Sequence, residues 1–427
     1  MPTLAPVPPT APGESSPPIP TLKCASNFGI ISAETAGQPA IDQGPNIRVA
    51  LDALKRRRSG LFLPRGTYGF KGDLVLPGGT ALVGSSSRKT RLKNLDKRGG
   101  TLSTTKGASK GVRIEGLQLH NTRIVLRSTS PSAVRWNGLT GTNGKKAQIT
   151  VVRGPHAIDG NVLWRSKGRP GFGIDIGRDD DVQQRKDMPH GHFAKAPQVA
   201  IVNNLIGTVD ARDLSGFGYQ PEFPTVDMAR VMMSDADSNE YRGNYQTAIR
   251  SMIPVPLKIK HNIVILDQPV SLTPSPAESP RAVADFQSPR NLSLVNNTFR
   301  GWGANQGLAA SIRLRSPSQV TIDNNFLRDV PMMLERDPGD TSPAKLIGIL
   351  NNVFTRSPLR IDIAVNGAGS EHTAPEDISI RSNFFYENPG CPVFLREAAV
   401  GSSNFNVALN MTFDDDGHEV ATQVCDL

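Results

Sequence analysis

Cysteine, aromatic residues and long apolar runs are all scarce in this sequence. Its 427 residues include three cysteines, and aromatic residues make up 6% of the chain. Three cysteines are too few for the disulfide framework of a small secreted domain, although Cys391 and Cys425 can pair and leave Cys24 alone. No run is long and apolar enough to cross a membrane. Since aromatic residues are few, we expect an aliphatic core.

The short motifs that usually reveal a catalytic or metal site are also missing. The sequence has no G-x-S-x-G, no H-E-x-x-H, no Cys/His metal spacing and no P-loop. Any site must therefore be sought in the pattern of charged side chains.

Positive charge exceeds negative charge, with a formal net charge of +9. Such an excess favours polyanions, which include nucleic acid, anionic lipid and acidic polysaccharide. A nucleic-acid site is expected to interleave a basic stripe with aromatic residues, and no such stripe is present. We therefore predict no nucleic-acid partner, and the charge by itself does not choose between the other two.

The most informative positive feature is a repeated short strand that ends in Asn-Asn. Its copies read VAIVNN (199–204), LSLVNN (292–297), VTIDNN (320–325) and IGILNN (347–352), with looser copies at KIKHN (258–262) and ISIRSN (378–383). The last four of these second Asn residues are 28, 27 and 31 positions apart. A strand-bearing unit repeated at this period predicts a solenoid of about ten to twelve coils.

The register of the repeat predicts which side chains face inward. In VTIDNN, Val320 and Ile322 point inward while Thr321 and Asp323 point outward, because side chains alternate along a strand. Asn tolerates the left-handed backbone of a sharp bend, and stacked Asn side chains can form a hydrogen-bonded ladder. We therefore interpret these Asn residues as structural, together with His261, which occupies an Asn position in KIKHN.

The N-terminal part of the chain carries a family resemblance. Residues 46–58 place Ile47, Ala50, Leu51 and Leu54 at helical spacing, and LFLPRGTYGF (61–70) and DLVLPGGTALVG (73–84) follow as strands. A helix followed by these strands resembles the start of the pectin-lyase-like superfamily. The resemblance implies a right-handed parallel β-helix of the polysaccharide lyase, glycoside hydrolase or phage tailspike type, in which the helix caps the first coil.

These observations predict an all-β fold, a single-stranded right-handed parallel β-helix with a short N-terminal capping α-helix. Residues 1–22 are Pro-rich, without the pattern of a signal peptide, and are expected to form a disordered arm. The β-helix is expected to span residues 23–410, with a C-terminal tail or cap at 411–427. Segments 178–198 and 207–256 break the period and are predicted to be loop insertions.

Charged residues recur at outward positions of the strand that follows the Asn turn and in the second insertion. On stacked coils they would lie about 4.8 Å apart. Arg binds carboxylates and nearby acids can transfer protons, so a row of them suits an acidic polymer. The alternative is a solvated sheet whose opposite charges pair across coils.

The candidate residues fall into two groups. The catalytic candidates are Asp175, Asp210, Asp213, Asp235, Asp237, Lys260 and Arg313. The substrate-binding candidates are Arg242, Lys258, Arg315, Glu335, Asp337 and Arg360. The resemblance implies Arg or Lys as the base of a lyase, with Ca²⁺ or Arg neutralising the uronate, and Lys258, Lys260, Arg313 and Arg315 resemble such a set. No metal ligands are assigned, although paired Asp residues are of the type that binds Ca²⁺.

We therefore expect an enzyme that cleaves a uronate-containing glycan on one sheet of the β-helix, by β-elimination or hydrolysis. The alternatives are a non-catalytic glycan-binding surface or tailspike protein and a polysaccharide epimerase. The expected location is extracellular, periplasmic or virion-associated, and a homotrimer is compatible with the fold.

Overall fold

A computed structural model shows the chain wound into a right-handed parallel β-helix, as the sequence predicts. The structure describes residues 21–37, 39–57, 59–141, 146–152, 154–164, 171–177, 198–207, 245–266, 282–301, 311–336, 344–362, 376–388, 391–395, 405–414 and 416–426. Each complete coil passes through three sheets in turn, so every strand pairs in parallel with the equivalent strands of neighbouring coils.

The strands of the three sheets have the following bounds. The first sheet contains Leu22–Cys24, Gly60–Leu63, Ala81–Gly84, Arg113–Glu115, Ser132–Arg135, His156–Asp159, Val199–Val202, Leu257–Lys260, Arg290–Val295, Ser318–Asp323, Lys345–Leu350, Glu376–Arg381 and Phe405–Ala408. The second contains Gly66–Phe70, Thr90–Asn94, Gln118–His120, Gly138–Thr140, Val162–Leu163, Leu205–Gly207, Ile263–Ile265, Thr298–Arg300, Phe326–Arg328, Val353–Thr355, Phe384–Tyr386, Met411–Phe413 and Glu419–Val420. The third contains Leu74–Leu76, Gly100–Thr104, Thr122–Leu126, Ile149–Val151, Gly171–Ile176, Tyr245–Ser251, Ala282–Gln287, Ser311–Arg315, Met332–Glu335, Leu359–Asp362, Val393–Leu395 and Val424–Asp426.

The core is a continuous column of mainly aliphatic side chains along the axis of the coils. In the strand Ser318–Asp323, Val320 and Ile322 are buried and Thr321 is exposed, which confirms the predicted register. The few aromatic side chains of the core also stack, since the rings of Phe354 and Phe385 lie 4.9 Å apart in adjacent coils. Each coil therefore buries its inward face against its neighbours.

The helix Gly44–Arg57 closes the N-terminal end of the column. Its apolar side chains Ile47, Ala50, Leu51 and Leu54 are all buried, as their helical spacing predicts. Arg48 fastens the helix to the first coil by donating to the backbone carbonyls of Lys71 and Asp73. The cap also includes a 3-10 helix, Ala25–Phe28, and a short α-helix, Ala33–Ala36, neither of which the sequence pattern predicts.

A two-residue turn joins the first sheet to the second in every coil from the strand Arg113–Glu115 onward. The backbone of its first residue is always in the left-handed conformation. These residues are Gly116, Trp136, Gly160, Asn203, His261, Asn296, Asn324, Asn351, Ser382 and Leu409. His261 has a φ of 55°, so its structural interpretation is confirmed. Asn and Gly are frequent here because they tolerate this conformation most easily.

The second residue of the turn forms a buried Asn ladder through nine coils. Each side-chain Nδ2 donates to the Oδ1 of the next Asn at 2.9–3.1 Å. The members are Asn137, Asn161, Asn204, Asn262, Asn297, Asn325, Asn352, Asn383 and Asn410. Each Oδ1 after the first also accepts the backbone N–H of the preceding Asn, as between Asn297 and Asn325 at 2.9 Å. The ladder satisfies buried backbone groups at the turn.

Several predicted boundaries are wrong by one strand. The predicted insertion 207–256 starts too early and ends too late, because Gly207 ends a strand of the second sheet and Tyr245–Ser251 is a strand of the third. The predicted tail 411–427 contains Met411–Phe413 and Val424–Asp426, which pair in parallel with the preceding coil. Leu22, assigned to the arm, begins the first strand. Polar, aperiodic sequence between these strands obscured their alternation.

A disulfide joins the last strand of the third sheet to the coil before it. Cys391 and Cys425 are bonded and Cys24 is a free thiol, in agreement with the pairing that the sequence allows. The strand Glu419–Val420 turns back antiparallel against Met411–Phe413 and ends the second sheet. None of the described helices has both the length and the apolarity needed to cross a membrane.

Candidate functional site

The outward positions of the third sheet form a column with one residue from each successive coil, and five of its eight residues are charged. The third-sheet column is defined by Thr150, Asp175, Arg250, Asp285, Arg313, Met333, Arg360 and Phe394. Neighbouring positions in such a column lie about 4.8 Å apart. Acidic and basic residues alternate from Asp175 to Arg313, so the sheet combines both predicted features, paired charge and a row of guanidinium groups.

Asp175 and Arg250 form a buried ion pair toward the N-terminal end of this column. Arg250 Nε lies 2.9 Å from Asp175 Oδ1 and Arg250 Nη2 lies 2.5 Å from Asp175 Oδ2. The guanidinium also lies over the ring of Phe172, 3.5 Å from its centroid. Asp175 is 1% exposed, so the prediction that this residue is displayed to solvent is wrong. The bidentate contact favours the ionised carboxylate and gives the pair a structural role.

Asp285 follows Arg250 in the column and is the less saturated of the two carboxylates. One oxygen, Oδ2, lies 3.4 Å from Arg315 Nη2. The other, Oδ1, is buried and has no hydrogen-bond partner. Arg250 and Arg313 occupy the neighbouring column positions on either side. Asp285 therefore has one buried oxygen whose hydrogen-bonding capacity is unused, between the column positions of two arginines.

Neighbouring coils extend the positive row. Arg313 is half-buried and donates through Nε to Ser311 Oγ at 3.2 Å. Arg315 also lies 3.8 Å from a carboxylate oxygen of Glu335 in the following coil. Two coils beyond Arg313, the exposed Arg360 lies over the outward ring of Phe394, 5.2 Å from its centroid. Predicted residues Arg313, Arg315, Glu335 and Arg360 therefore do share one face.

Lys258 and Lys260 do not belong to this face. Both lie on the strand Leu257–Lys260 of the first sheet, where their outward positions align with Ser293 and Val295 of the next coil. The predicted catalytic set of two lysines and two arginines is therefore wrong, since it is divided between two sheets. In each coil, a second-sheet strand intervenes between the first-sheet strand, which carries the lysines, and the third-sheet strand, which carries the arginines.

Six of the predicted site residues lie outside the described residues. They are Asp210, Asp213, Asp235, Asp237, Arg242 and Asp337. Conversely, the sequence reading missed Arg250, Asp285 and Phe394. Arg250 lies in the strand Tyr245–Ser251, which had been assigned to the insertion, and Asp285 lies in AVADFQ, where alternation marks one outward acid.

Variation in coil length is concentrated at the borders of the third sheet. The turn from the first sheet to the second is two residues long in every coil from Arg113 onward. Segments 178–197, 208–244, 267–281 and 302–310 all occur in connections that enter or leave the third sheet. Length variation on one face of a solenoid is typical of the functional face.

One group of potential metal ligands occurs in the described ranges, in the connection between two second-sheet strands. Asp414, Asp416 and His418 lie together in the exposed turn before Glu419–Val420. Asp414 Oδ1 accepts the backbone N–H groups of Asp416 and His418 at 3.0 and 2.8 Å, as in an Asx turn. These hydrogen bonds lower the pKa of Asp414. The group is explained by turn formation, and the expected Ca²⁺ site stays a prediction.

Comparison with known proteins agrees with the fold. Neither a scan of protein-family models nor a search of curated proteins gave a match. Among solved structures, the surface adhesin PfbA of Streptococcus pneumoniae matches with a TM-score of 0.51 and 12% identity, covering 95% of this chain and 91% of that one. The catalytic unit of a GH87 α-1,3-glucanase from Streptomyces thermodiastaticus matches with a TM-score of 0.50 and 11% identity, covering 96% and 72%.

A third solved structure is the A-module of a mannuronan C-5 epimerase from Azotobacter vinelandii, with a TM-score of 0.47, 12% identity and coverage of 95% and 97%. At these identities the similarity establishes the fold class. The parallel β-helix that the sequence resemblance implies is confirmed. The adhesin and the glucanase show that this fold is compatible with quite different activities.

Proposed function

We propose that the chain binds an acidic polysaccharide along the outward face of the third sheet and cleaves it beside Asp285. The observation that supports this most directly is the position of Asp285, whose Oδ1 lacks a hydrogen-bond partner between Arg250 and Arg313. A carboxylate with an unpartnered oxygen among guanidinium groups combines a proton-transfer group with groups that bind carboxylates.

The positive row accounts for the choice of an anionic ligand. Arg313, Arg315 and Arg360 belong to coils stacked along one sheet, so their guanidinium groups follow the axis of the solenoid. An extended polymer with a carboxylate on each sugar can contact several of them at once. Phe394 adds an apolar ring at the end of the row, and its outward side chain is half-buried. The expected substrate therefore lies parallel to the axis of the β-helix.

Two routes of cleavage use the same residues. In β-elimination, Asp285 accepts the proton beside the uronate carboxylate, a double bond forms, and the glycosidic C–O bond breaks as its oxygen takes up a proton. Arg313 or Arg315 neutralises the uronate. In hydrolysis, Asp285 accepts a proton from the attacking water, the water oxygen bonds to the sugar carbon, and the glycosidic C–O bond breaks as its oxygen takes up a proton. The two routes give different products, and a retained polymer with inverted stereochemistry would indicate an epimerase.

A specific observation also favours a non-catalytic glycan-binding protein. Asp175 is fully engaged by Arg250, and Glu335 lies near Arg315, so part of the acidic charge is already paired. Pairing of this kind rigidifies a sheet without requiring catalysis. This second candidate function would use the same arginine row for binding and would leave the polymer intact.

The test is incubation with a panel of acidic glycans, including alginate, pectate and hyaluronate. A lyase would generate the ultraviolet absorbance of unsaturated uronate ends, and a hydrolase would generate reducing ends without that absorbance. Asp285→Asn should lower kcat/KM by about a hundredfold or more while retaining binding. The matched control is Asp323→Asn, an outward carboxylate of the first sheet, which should leave both unchanged.

Binding is tested separately with Arg313→Ala, which should weaken affinity for a short acidic oligosaccharide about tenfold because a charged hydrogen-bonding group is lost. Arg381→Ala, an exposed arginine of the first sheet, serves as the control. Binding without products would leave the non-catalytic candidate and exclude cleavage. An Arg313→Ala protein that binds as well as its control would contradict the location on the third sheet.

A further inference from the structure

A second strongly charged surface lies on a different sheet, near the N-terminal cap. It is formed along the second-sheet strand Thr90–Asn94 and at the ends of the adjoining strand Gly66–Phe70. We define this basic surface by Arg65, Lys71, Arg88, Lys89, Arg91, Lys93 and Arg98. Arg91 is half-buried and the other six are exposed.

The register places these cations on one continuous face. Arg91 and Lys93 point outward from the middle of their strand and align with Gln118 and His120 of the next coil. Arg88 and Lys89 precede the strand, and Arg98 follows it. Arg65 and Lys71 flank the neighbouring strand in the same way. The positive groups therefore surround a patch that spans the width of the second sheet.

Positive charge on this surface is not cancelled by ion pairs. None of the seven cations has a recorded ion pair in the described part of the chain, and Arg91 Nε donates to the neutral amide oxygen of Gln118 at 3.0 Å. The nearby acids serve the backbone instead, and one of them, Asp42, accepts the backbone N–H of Lys71 through Oδ1 at 3.0 Å. Asp96 Oδ2 accepts the N–H of Gly72 at 2.6 Å, and Asp73 Oδ1 accepts the N–H of Thr101 at 2.7 Å.

His120 reports the local potential. Its ring lies in the column that contains Lys93, and Nδ1 is 3.2 Å from Thr140 Oγ1. Burial, followed by the charges of Lys93 and Arg91, lowers the pKa of His120. The field at this face therefore disfavours one more positive charge, which is the complement of a surface that favours anions.

We propose that the basic surface is a second binding site for an extended acidic polysaccharide, separate from the third sheet and independent of cleavage there. The aromatic side chains of the adjacent strand, Tyr68 and Phe70, are buried and cannot stack on bases, so the surface lacks the aromatic contacts that single-stranded nucleic acid uses. Dispersed, flexible cations suit a polymer with regularly repeated charge.

A second site has a consequence for how the polymer is held. The basic surface lies beside the N-terminal cap on the second sheet, whereas Arg313 and Arg360 lie several coils further along the third sheet. One chain can therefore bind two polymer segments, or two parts of one long polymer, at the same time. Avidity for long chains should exceed that for short oligosaccharides.

The experiment compares two triple variants with equal loss of charge. Arg91→Gln/Lys93→Gln/Arg98→Gln removes three cations of the basic surface. Arg290→Gln/Lys345→Gln/Arg381→Gln removes three exposed cations of the first sheet and serves as the control. Affinity for immobilised long-chain alginate is measured over a range of salt concentrations. We expect the first variant to bind about tenfold more weakly at low salt, to lose much of its salt dependence, and to cleave short oligosaccharides normally.

Equal weakening by both variants would overturn the proposal, because net charge alone would then explain binding. Tighter binding to vesicles containing phosphatidylserine, or to single-stranded DNA, would also overturn it in favour of a lipid surface or nucleic acid. Arg313→Ala/Arg315→Ala distinguishes the two sites. If this variant loses cleavage but retains long-polymer binding, the basic surface is supported. If the proposed cleavage fails while the first triple variant still loses binding, only the third-sheet function is excluded.

His120 provides a residue-specific readout of the same experiment. A bound polyanion should raise the pKa of His120, because its charges offset those of Lys93 and Arg91. The shift is followed by NMR titration with and without alginate, and His261, in the turn between the first and second sheets four coils further along, serves as the reference. The pKa of His120 should not move in the triple variant when polymer is added. A polymer-induced rise there equal to that in the unmodified chain would contradict binding at this surface.

Discussion

The buried Asn of each two-residue turn holds together neighbouring coils at a single point. In Asn325, Nδ2 donates to the carbonyls of Leu294 and Asp323 and to Asn352, while Oδ1 accepts from Asn297. The side chain is 2% exposed. Its removal leaves several buried donors and acceptors without partners, and this cost exceeds the worth of a single hydrogen bond.

Replacement of this residue should therefore destabilise the chain measurably. We expect Asn325→Ala to lower the free energy of unfolding by about 3 kcal/mol, since at least two buried groups lose their partners. Chemical denaturation followed by circular dichroism measures the change. The control is Asn324→Ala at the adjacent exposed turn position, where the left-handed backbone and one exposed hydrogen bond, from Nδ2 to Asn296 Oδ1, are affected and the expected cost is about 1 kcal/mol. Equal effects would show that the ladder does not contribute beyond the turn.

The first turn residue follows a different rule from the second. Trp136, His261, Ser382 and Leu409 all take the left-handed conformation that Asn takes elsewhere, and Leu409 is 80% exposed. Conformation at this position is therefore imposed by the coil, while the second position depends on the chemistry of the Asn side chain. This explains why the repeat weakens at KIKHN and ISIRSN without losing the ladder.

At the scale of a strand, the charged residues of the third sheet are of two functional kinds. Asp175 and Arg250 satisfy each other on neighbouring strands and are almost fully buried. Asp285, Arg313 and Arg360 are more accessible and keep part of their bonding capacity. The same alternation of sign thus produces a structural pair at one end and candidate ligand contacts at the other.

Breaking the buried pair should cost more than removing it entirely. Arg250→Gln leaves an uncompensated buried carboxylate, and we expect a loss of about 3–5 kcal/mol in the free energy of unfolding. Asp175→Asn/Arg250→Gln removes both charges and should recover most of that loss. Chemical denaturation of the single and double variants gives the coupling energy.

Arg381→Gln, at an exposed site of the first sheet, is the reference for a simple loss of positive charge and should change stability by less than about 0.5 kcal/mol. A double variant as unstable as Arg250→Gln would show that the carboxylate was not the source of the cost. The pair would then contribute through the packing of Arg250 against Phe172.

At the scale of the whole molecule, stability is shared between neighbouring coils because contacts in a solenoid are local along its axis. The cap Gly44–Arg57 covers one end of the core, and the disulfide between Cys391 and Cys425 secures the strand Val424–Asp426 near the other. Between these ends, each coil presents the same inward pattern to the next. Coils in the middle should therefore be interchangeable units.

Deletion of one complete coil tests this organisation. Removal of residues 325–351 joins Asn324 to Asn352 and keeps a two-residue turn, so the inward and outward positions of every later strand are preserved. We expect a folded β-helix with an unfolding temperature within a few degrees of the complete chain. Circular dichroism and thermal unfolding provide the measurement.

A deletion that is one residue shorter is the control. Removal of residues 325–350 leaves a third residue in the turn and should disturb the coil, because a one-residue slip exchanges the two faces of a strand. If both deletions fold equally well, the Asn register does not define the coil. If neither folds, the coils are not independent units.

The fold was accessible from the sequence because each coil repeats its own local instructions. Val320 and Ile322 alternate with polar residues, Asn324 and Asn325 mark the turn, and the helical spacing from Ile47 to Leu54 marks the cap. Such signals act over a few residues and recur at a constant period, so no knowledge of distant contacts is required. The aliphatic core was expected from the scarcity of aromatic residues, whereas the sequence allowed the pairing of Cys391 with Cys425 without deciding it.

The candidate site was only partly accessible, because it depends on which strands share a sheet. Arg313, Arg315, Glu335 and Arg360 follow one strand pattern and do lie together, but Lys258 and Lys260 face outward from another sheet. Asp175 looks outward in sequence yet is buried by its contact with Arg250, a residue 75 positions away along the chain. Alternation along a strand is a local property that the sequence encodes directly, whereas alignment across coils depends on the length of every intervening segment and arises only in the folded solenoid.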